Sequence, residues 1–194
     1  MTPAISKGIF VLFVVFWYII RVRYARRSRR TPIARTDRGV RENVLLTISL
    51  TGLGILPLLY IATSVPRFAS YPFQPALAWV GLVFAVAALA LFYLTHQALG
   101  RNWSVSLDVR ESHKLVTGGI YRNVRHPMYS AFWLWAVAQA FLLPNWIAGI
   151  AGLVGFGTLF FGRVTYEERM MVESFGREYQ DYMSRTARII PRIY

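Results

Sequence analysis

A chain of 194 residues that is 55% hydrophobic, with 13 Phe, 11 Tyr and 6 Trp, carries more apolar surface than one soluble core can bury. Its formal charge of +13 comes from 22 Lys and Arg interspersed with apolar runs rather than set on a solvated domain, which excludes nucleic-acid binding and makes the charge a matter of membrane topology. No cysteine is present, so disulfides, thiolate metal sites and a Cys nucleophile are excluded, and the three histidines, at 96, 113 and 126, lack metal-ligand spacing.

Apolar runs occupy 3–20, 44–65, 76–95, 128–143 and 146–162, each near the ~20 residues a helix needs to cross ~30 Å of hydrocarbon. The chain is therefore expected to be an all-α integral membrane protein with five transmembrane helices. The first run is followed, not preceded, by its basic cluster and has no small-residue cleavage pattern, so it stays as the first helix rather than serving as a signal peptide. The Arg-rich stretch at 21–30 falls at the lipid headgroups. In the second run Thr47, Ser49, Thr51, Gly52 and Gly54 make a small-residue stripe for close helix packing, and Pro57 predicts a kink. His96 ends the third helix as a structural histidine. The fourth and fifth runs are short and joined only by Pro144-Asn145, a pair that favours a turn and predicts a tight helical hairpin. The segment 167–183 mixes charges with Met170, Val172, Phe175, Tyr179 and Tyr182, as an amphipathic helix capping a pocket would. Residues 1–194 read as one membrane-embedded domain, with three helices in 1–100 and the catalytic half in 101–194.

Lys and Arg concentrate in cytoplasmic loops. Residues 21–42 hold nine Arg, 101–126 hold four Arg and Lys114, and the stretch from 163 holds six Arg, against Lys7 and Arg67 on the other side. Five spans then place the N-terminus outside and the C-terminus in the cytoplasm. Both polar ends of the last hairpin return to that cytoplasmic side, so 113–129 and 163–168 converge on one pocket. Arg163 and Glu167 share a helix face, whereas Glu168 lies about 100° further round and is assigned a structural role, paired with a basic residue of a neighbouring loop. Taken singly, Tyr121 and Tyr129 read as interfacial belt aromatics before site residues, and Arg163 with Glu167 as a plain i, i+4 pair; the two charged clusters at one membrane face together favour a site. Gly118-Gly119 permit an unusual backbone turn. Pro127 suits the first position of a helix, which puts His126 among the unpaired amides that favour an anionic group.

The run His113-Lys114-Leu115-Val116-Thr117-Gly118-Gly119-Ile120-Tyr121, then Arg125-His126-Pro127-Met128-Tyr129, then Arg163 with Glu167-Glu168, resembles the isoprenylcysteine carboxyl methyltransferase family in order and spacing over Asn102 to Pro191. The resemblance implies an integral membrane enzyme using S-adenosyl-L-methionine, released as S-adenosyl-L-homocysteine, with a cytoplasmic cofactor pocket. It implies membrane lipids and a lipophilic or prenylated substrate as partners. Cofactor contacts are implied at Ser106, His113, Lys114, Leu115, Val116, Tyr121, His126, Pro127, Met128, Tyr129 and Glu167, and Arg163 as the catalytic residue turned toward a substrate carboxylate. A shorter N-terminal region than the eukaryotic enzymes implies the prokaryotic type. Phospholipid or amine N-methylation, an NADPH-dependent sterol-reductase-like activity and a non-catalytic membrane scaffold are the alternatives.

Overall fold

The computed structural model describes residues 1–28, 33–36, 39–100, 108–110 and 115–193. In chain order its helices are α1 (Pro3–Ser28), α2 (Val40–Leu50), α3 (Leu56–Thr63), α4 (Pro75–Leu99), α5 (Pro127–Leu142), α6 (Trp146–Phe175) and α7 (Arg177–Arg185). A π-helical turn, Thr51–Ile55, joins α2 to α3 as one rod from Val40 to Thr63. Each apolar run falls largely on one of these rods, but among the described residues four helices rather than five are long and apolar enough to cross a membrane. The exception is α5, whose 16 residues reach about 24 Å, short of the ~30 Å hydrocarbon core. Beyond the apolar run that ends at 162, α6 continues to Phe175 and carries Arg163 and Glu167 on a helix as expected. The architecture is helical as expected, with one addition, a short antiparallel ladder of β1 (Ile33–Thr36) and β2 (Asp108–Arg110), where Thr36 faces Asp108. Both strands lie in charged connections between apolar runs, where Ile33, Thr36 and Val109 favour extended backbone.

The α5–α6 hairpin turns as the Pro144-Asn145 pair predicts. The Asn145 side chain accepts from the Ala148 amide at 2.9 Å and so caps α6. Its Nδ2 donates to the Pro66 carbonyl at 2.8 Å and to Ser70 Oγ at 3.1 Å, which ties the α3–α4 connection to the hairpin tip. At this same end of α5 the Ser6 hydroxyl of α1 donates to the Leu142 carbonyl at 2.6 Å, satisfying an orphan at the helix C-terminus.

The π-helical turn follows from Pro57. In the π register the Leu56 amide bonds to the Thr51 carbonyl, five residues back, and the next carbonyl, Gly52, would need the amide that proline lacks. Gln139 of α5, fully buried, supplies it: its Nε2 donates to the Gly52 carbonyl at 3.0 Å and to the Ala148 carbonyl at 2.6 Å. The small-residue stripe serves packing. A Cβ on Gly52 would overlap the Ala151 carbonyl, and one on Gly155 would lie 2.8 Å from the Ile48 carbonyl, so the rod and α6 touch backbone to backbone. The core between the helices is aromatic. The Phe13 and Trp135 rings meet edge to face at 4.8 Å, and Tyr129 meets Phe160 at 5.4 Å in the same way.

Candidate active site

One cavity of about 430 Å³ runs between α1, the α2–α3 rod, α5 and α6, within the roughly 300–1,000 Å³ typical of small-molecule sites. It has two different ends. Val14 and Trp17 of α1, Leu46, Leu50, Leu53, Ile55 and Leu58 of the rod, and Phe132, Trp135, Phe156 and Leu159 of the hairpin wall it with apolar surface. Tyr121, Arg125, His126, Tyr129, Arg163, Glu167, Tyr179 and Tyr182 line its polar end.

Local folding explains how each polar group arrives there. Tyr121 comes on a 3₁₀ turn, Gly119–Arg122, whose first residue has φ +61°, a conformation that glycine adopts without strain. Pro127 opens α5 behind His126, as the sequence predicts, and is buried there rather than lining the cavity. Met128 and Tyr129 then face the cavity from the first turn of α5. The continuation of α6 past the apolar run carries Arg163, Glu167 and Glu168 to the same level.

Arg163 is nine-tenths buried and lies between two carboxylates: its Nη1 is 2.9 Å from Glu42 Oε1 and its Nε 3.4 Å from Glu167 Oε2. The Tyr129 hydroxyl donates to Glu167 Oε2, and the His126 ring stacks on Tyr129 with Nδ1 3.8 Å from Glu167 Oε1. Glu168 points elsewhere. It receives Arg125 Nε at 3.0 Å, Arg188 Nη2 at 2.8 Å and His126 Nε2 at 3.3 Å, and so joins the loop before α5 to the stretch after α7.

That stretch closes the polar end. The Arg125 amide donates to the Ala187 carbonyl at 2.8 Å, the His126 amide to the Arg188 carbonyl at 2.9 Å, and Ser130 Oγ to the Ile189 carbonyl at 2.6 Å. Arg125 also donates to the Met183 carbonyl at 3.1 Å and to that of Thr186. The buried Tyr182 hydroxyl of α7 donates to the Tyr121 carbonyl at 2.5 Å. Burial, reinforced by Glu167 and Tyr182, pushes the Tyr121 phenol well above its ordinary range. Burial with Glu168 and Glu167 raises Tyr179, against the pull of Arg125, and burial pushes Tyr182 up to about 12. All three phenols are thus hydrogen-bond donors at neutral pH.

Of the residues singled out from sequence, Leu115, Val116, Tyr121, His126, Met128, Tyr129, Arg163 and Glu167 line this one cavity. Ser106, His113 and Lys114 lie outside the described residues. Sequence reasoning missed Trp17, Arg21 and Ser49 on the cavity wall and the Glu42 partner of Arg163. The available signal for Glu42 was a carboxylate at the start of an apolar run, after a loop crowded with arginines.

Fold and site together define a helical integral membrane protein whose internal cavity pairs a charged end with an apolar one. Comparison with known proteins gives this class a family. The sequence model of the isoprenylcysteine carboxyl methyltransferase (ICMT) family matches residues 79–173, and the chain belongs to that family. The protein named probable protein-S-isoprenylcysteine O-methyltransferase from Oryza sativa subsp. indica is 32% identical over 130 residues, 66% of this chain and 66% of the rice protein. Protein-S-isoprenylcysteine O-methyltransferase B of Arabidopsis thaliana is 39% identical over 94 residues, 47% of this chain and 48% of the relative. The matched stretches thus span two thirds or less of these relatives. Among solved structures, the eukaryotic intramembrane Ras methyltransferase ICMT shares the fold, with a TM-score of 0.52 and 23% identity over 81% of this chain and 54% of that one.

Proposed function

We propose that this protein is an S-adenosylmethionine-dependent membrane methyltransferase that esterifies the carboxylate of an isoprenylcysteine-type acceptor. The observation that carries this reading is the single cavity with Arg163, Glu167 and Tyr129 at one end and the apolar wall of α1 and α2–α3 at the other. Its residues suit the donor. Glu167, whose carboxylate accepts from the Tyr129 hydroxyl beside aromatic ring faces, favours a cation such as a sulfonium. Glu167, Tyr121, Tyr129, His126 and Met128 would hold it, with Leu115 and Val116 along its flank and Ser106, His113, Lys114 and Pro127 contributing as the family pattern implies. When bound, the donor supplies an electrophilic methyl group whose bond electrons return to sulfur, leaving a neutral thioether.

The chain's own residues do the rest. Arg163 orients the acceptor carboxylate, which attacks as the anion and needs no general base. The α7 tyrosines and the 186–189 stretch exclude water from the polar end, so alignment and desolvation lower the barrier. The prenyl chain lies along Trp17, Leu50 and Phe132. The reading includes five crossings, α5 completing the last hairpin beside α6, with the N-terminus outside and the cofactor end in the cytoplasm. One domain, 1–194, then comprises both the wall-forming first hundred residues and the catalytic remainder. Because the chain has no native cysteine, single cysteines placed at Gly8 and Ser184 report sidedness through labelling by impermeant maleimide.

Radiolabelled methyl donor and N-acetyl-S-farnesylcysteine in proteoliposomes test the reaction: the product is a methyl ester that releases methanol in base, and a base-stable product sinks the reading. The two carboxylates flanking Arg163 also suit an amine acceptor, as in phospholipid methylation. A rate that climbs with pH as the amine loses its proton identifies that case, whereas a carboxylate gives a flat profile near neutrality.

A further inference from the structure

We propose that Glu42 is a positioning residue for this transfer, holding the Arg163 guanidinium at the cavity wall and offsetting its charge so that the acceptor carboxylate is aligned without being locked in a tight ion pair. The inference rests on the carboxylate-acceptor reading above. A buried guanidinium facing a single carboxylate forms a short, bidentate, charge-assisted pair. Such a pair would bind the acceptor well and withdraw the lone pair that must attack the methyl carbon. In this site Glu42 already stands 2.9 Å from Arg163 Nη1, and both side chains are about nine-tenths buried. Glu167 stands 3.4 Å from Nε on the other side. Two negative charges around one positive leave the guanidinium geometrically fixed and electrostatically spent, with its remaining N–H groups available to point at the acceptor.

The rod and α6 are also joined by contacts that do not involve Glu42. The neighbouring Arg41 donates its Nη2 to the Gly162 carbonyl at 2.6 Å. Deeper in the bundle, Gly52 and Gly155 bring the rod and α6 into backbone contact, and Gln139 holds the Gly52 carbonyl at 3.0 Å. Replacing the carboxylate by its amide therefore changes charge at Arg163 more than it changes the bundle.

The sign of the effect separates this role from a structural one. In E42Q the guanidinium regains its pull on the acceptor, so KM for N-acetyl-S-farnesylcysteine is expected to fall roughly fivefold and kcat to fall roughly tenfold. S-adenosylhomocysteine affinity, read by calorimetry on the detergent-solubilised full chain, stays at the wild-type value, and E42D recovers kcat. A KM that rises or holds in E42Q overturns the proposal, as does an E42Q protein that no longer folds or binds S-adenosylhomocysteine, since Glu42 would then be a packing residue. Failure of the wild type to form a base-labile ester from the same probe, with S-adenosylhomocysteine still bound, overturns the carboxylate reading and the role of Glu42 with it.

Discussion

Arg188 reaches back along the chain to Glu168, its Nη2 donating to Oε2 at 2.8 Å while Nε spans both carboxylate oxygens at 3.1 and 3.2 Å. Glu168 is 4% exposed and takes Arg125 and His126 as well. Removing it leaves the buried Arg125 without this counter-ion, a loss that typically costs about 3–5 kcal/mol. Glu168→Ala is expected to lower the detergent unfolding temperature markedly and to open the 185–192 stretch to protease, whereas Glu178→Ala, at an exposed position of α7, changes neither. Equal protease resistance in wild type and Glu168→Ala counts against the clasp.

Arg163 and Glu167 are four residues apart on one helix face, yet they are predicted to fail differently. Arg163→Ala is expected to lower kcat/KM for a prenylcysteine acceptor roughly 100-fold, about 2.7 kcal/mol of transition-state stabilisation, with S-adenosylhomocysteine binding largely retained. Glu167→Gln loses cofactor affinity first, roughly tenfold by calorimetry. Tyr129→Phe, which deletes the donor to Glu167, shifts affinity in the same direction by less. Parallel losses of binding and turnover in both α6 variants would remove the division of labour.

Gly52 has no room for a methyl group, since the Ala151 carbonyl occupies that space. Gly52→Ala must push α6 away from the rod, and such overpacking costs about 1–3 kcal/mol. Gly54, whose Cβ would meet only a Leu50 side-chain methyl at 3.7 Å, accepts alanine without loss. Paired thermal melts of the two variants check the difference.

Tyr182 titrates at about 12 instead of 10 because it is buried. An acid raised in this way contributes its stability fully below pH 10 and loses it as pH climbs from 10 through about 12. Closure of α7 over the polar end is therefore expected to hold through the neutral range and to weaken in that alkaline window. Tyr182→Phe removes this residue's share of the alkaline limb of a melt-versus-pH curve, leaving that of the buried Tyr121 and Tyr179, at the expense of the hydrogen bond to the Tyr121 carbonyl.

What the sequence made legible was local. Pro144-Asn145 marked the hairpin turn, Pro57 marked the irregular turn before it, and the angular offset of adjacent residues on a helix separated Glu167, facing the cavity, from Glu168, facing Arg125 and Arg188. Long-range pairings were not legible. Glu42 and Arg163 belong to different helices, and charge alone does not say which arginine a carboxylate selects. The docking of residues 187–189 beside 125–130 uses main-chain groups that any side chain carries. Nor was the break at Gly176 legible, which divides the helix expected over 167–183 between α6 and α7.

On the proposed reading, a hollow with a charged head and a greasy flank separates the groups that react from the surface that measures the acceptor's tail. Val14, Trp17, Leu46 and Leu50 shape the flank, while neither Glu167 nor Arg163 depends on their size. Exchanges along α1 and the outer rod can therefore widen, narrow or shorten the chain that fits while the reacting end keeps its geometry, so relatives sharing one chemistry can diverge in the lipids they accept.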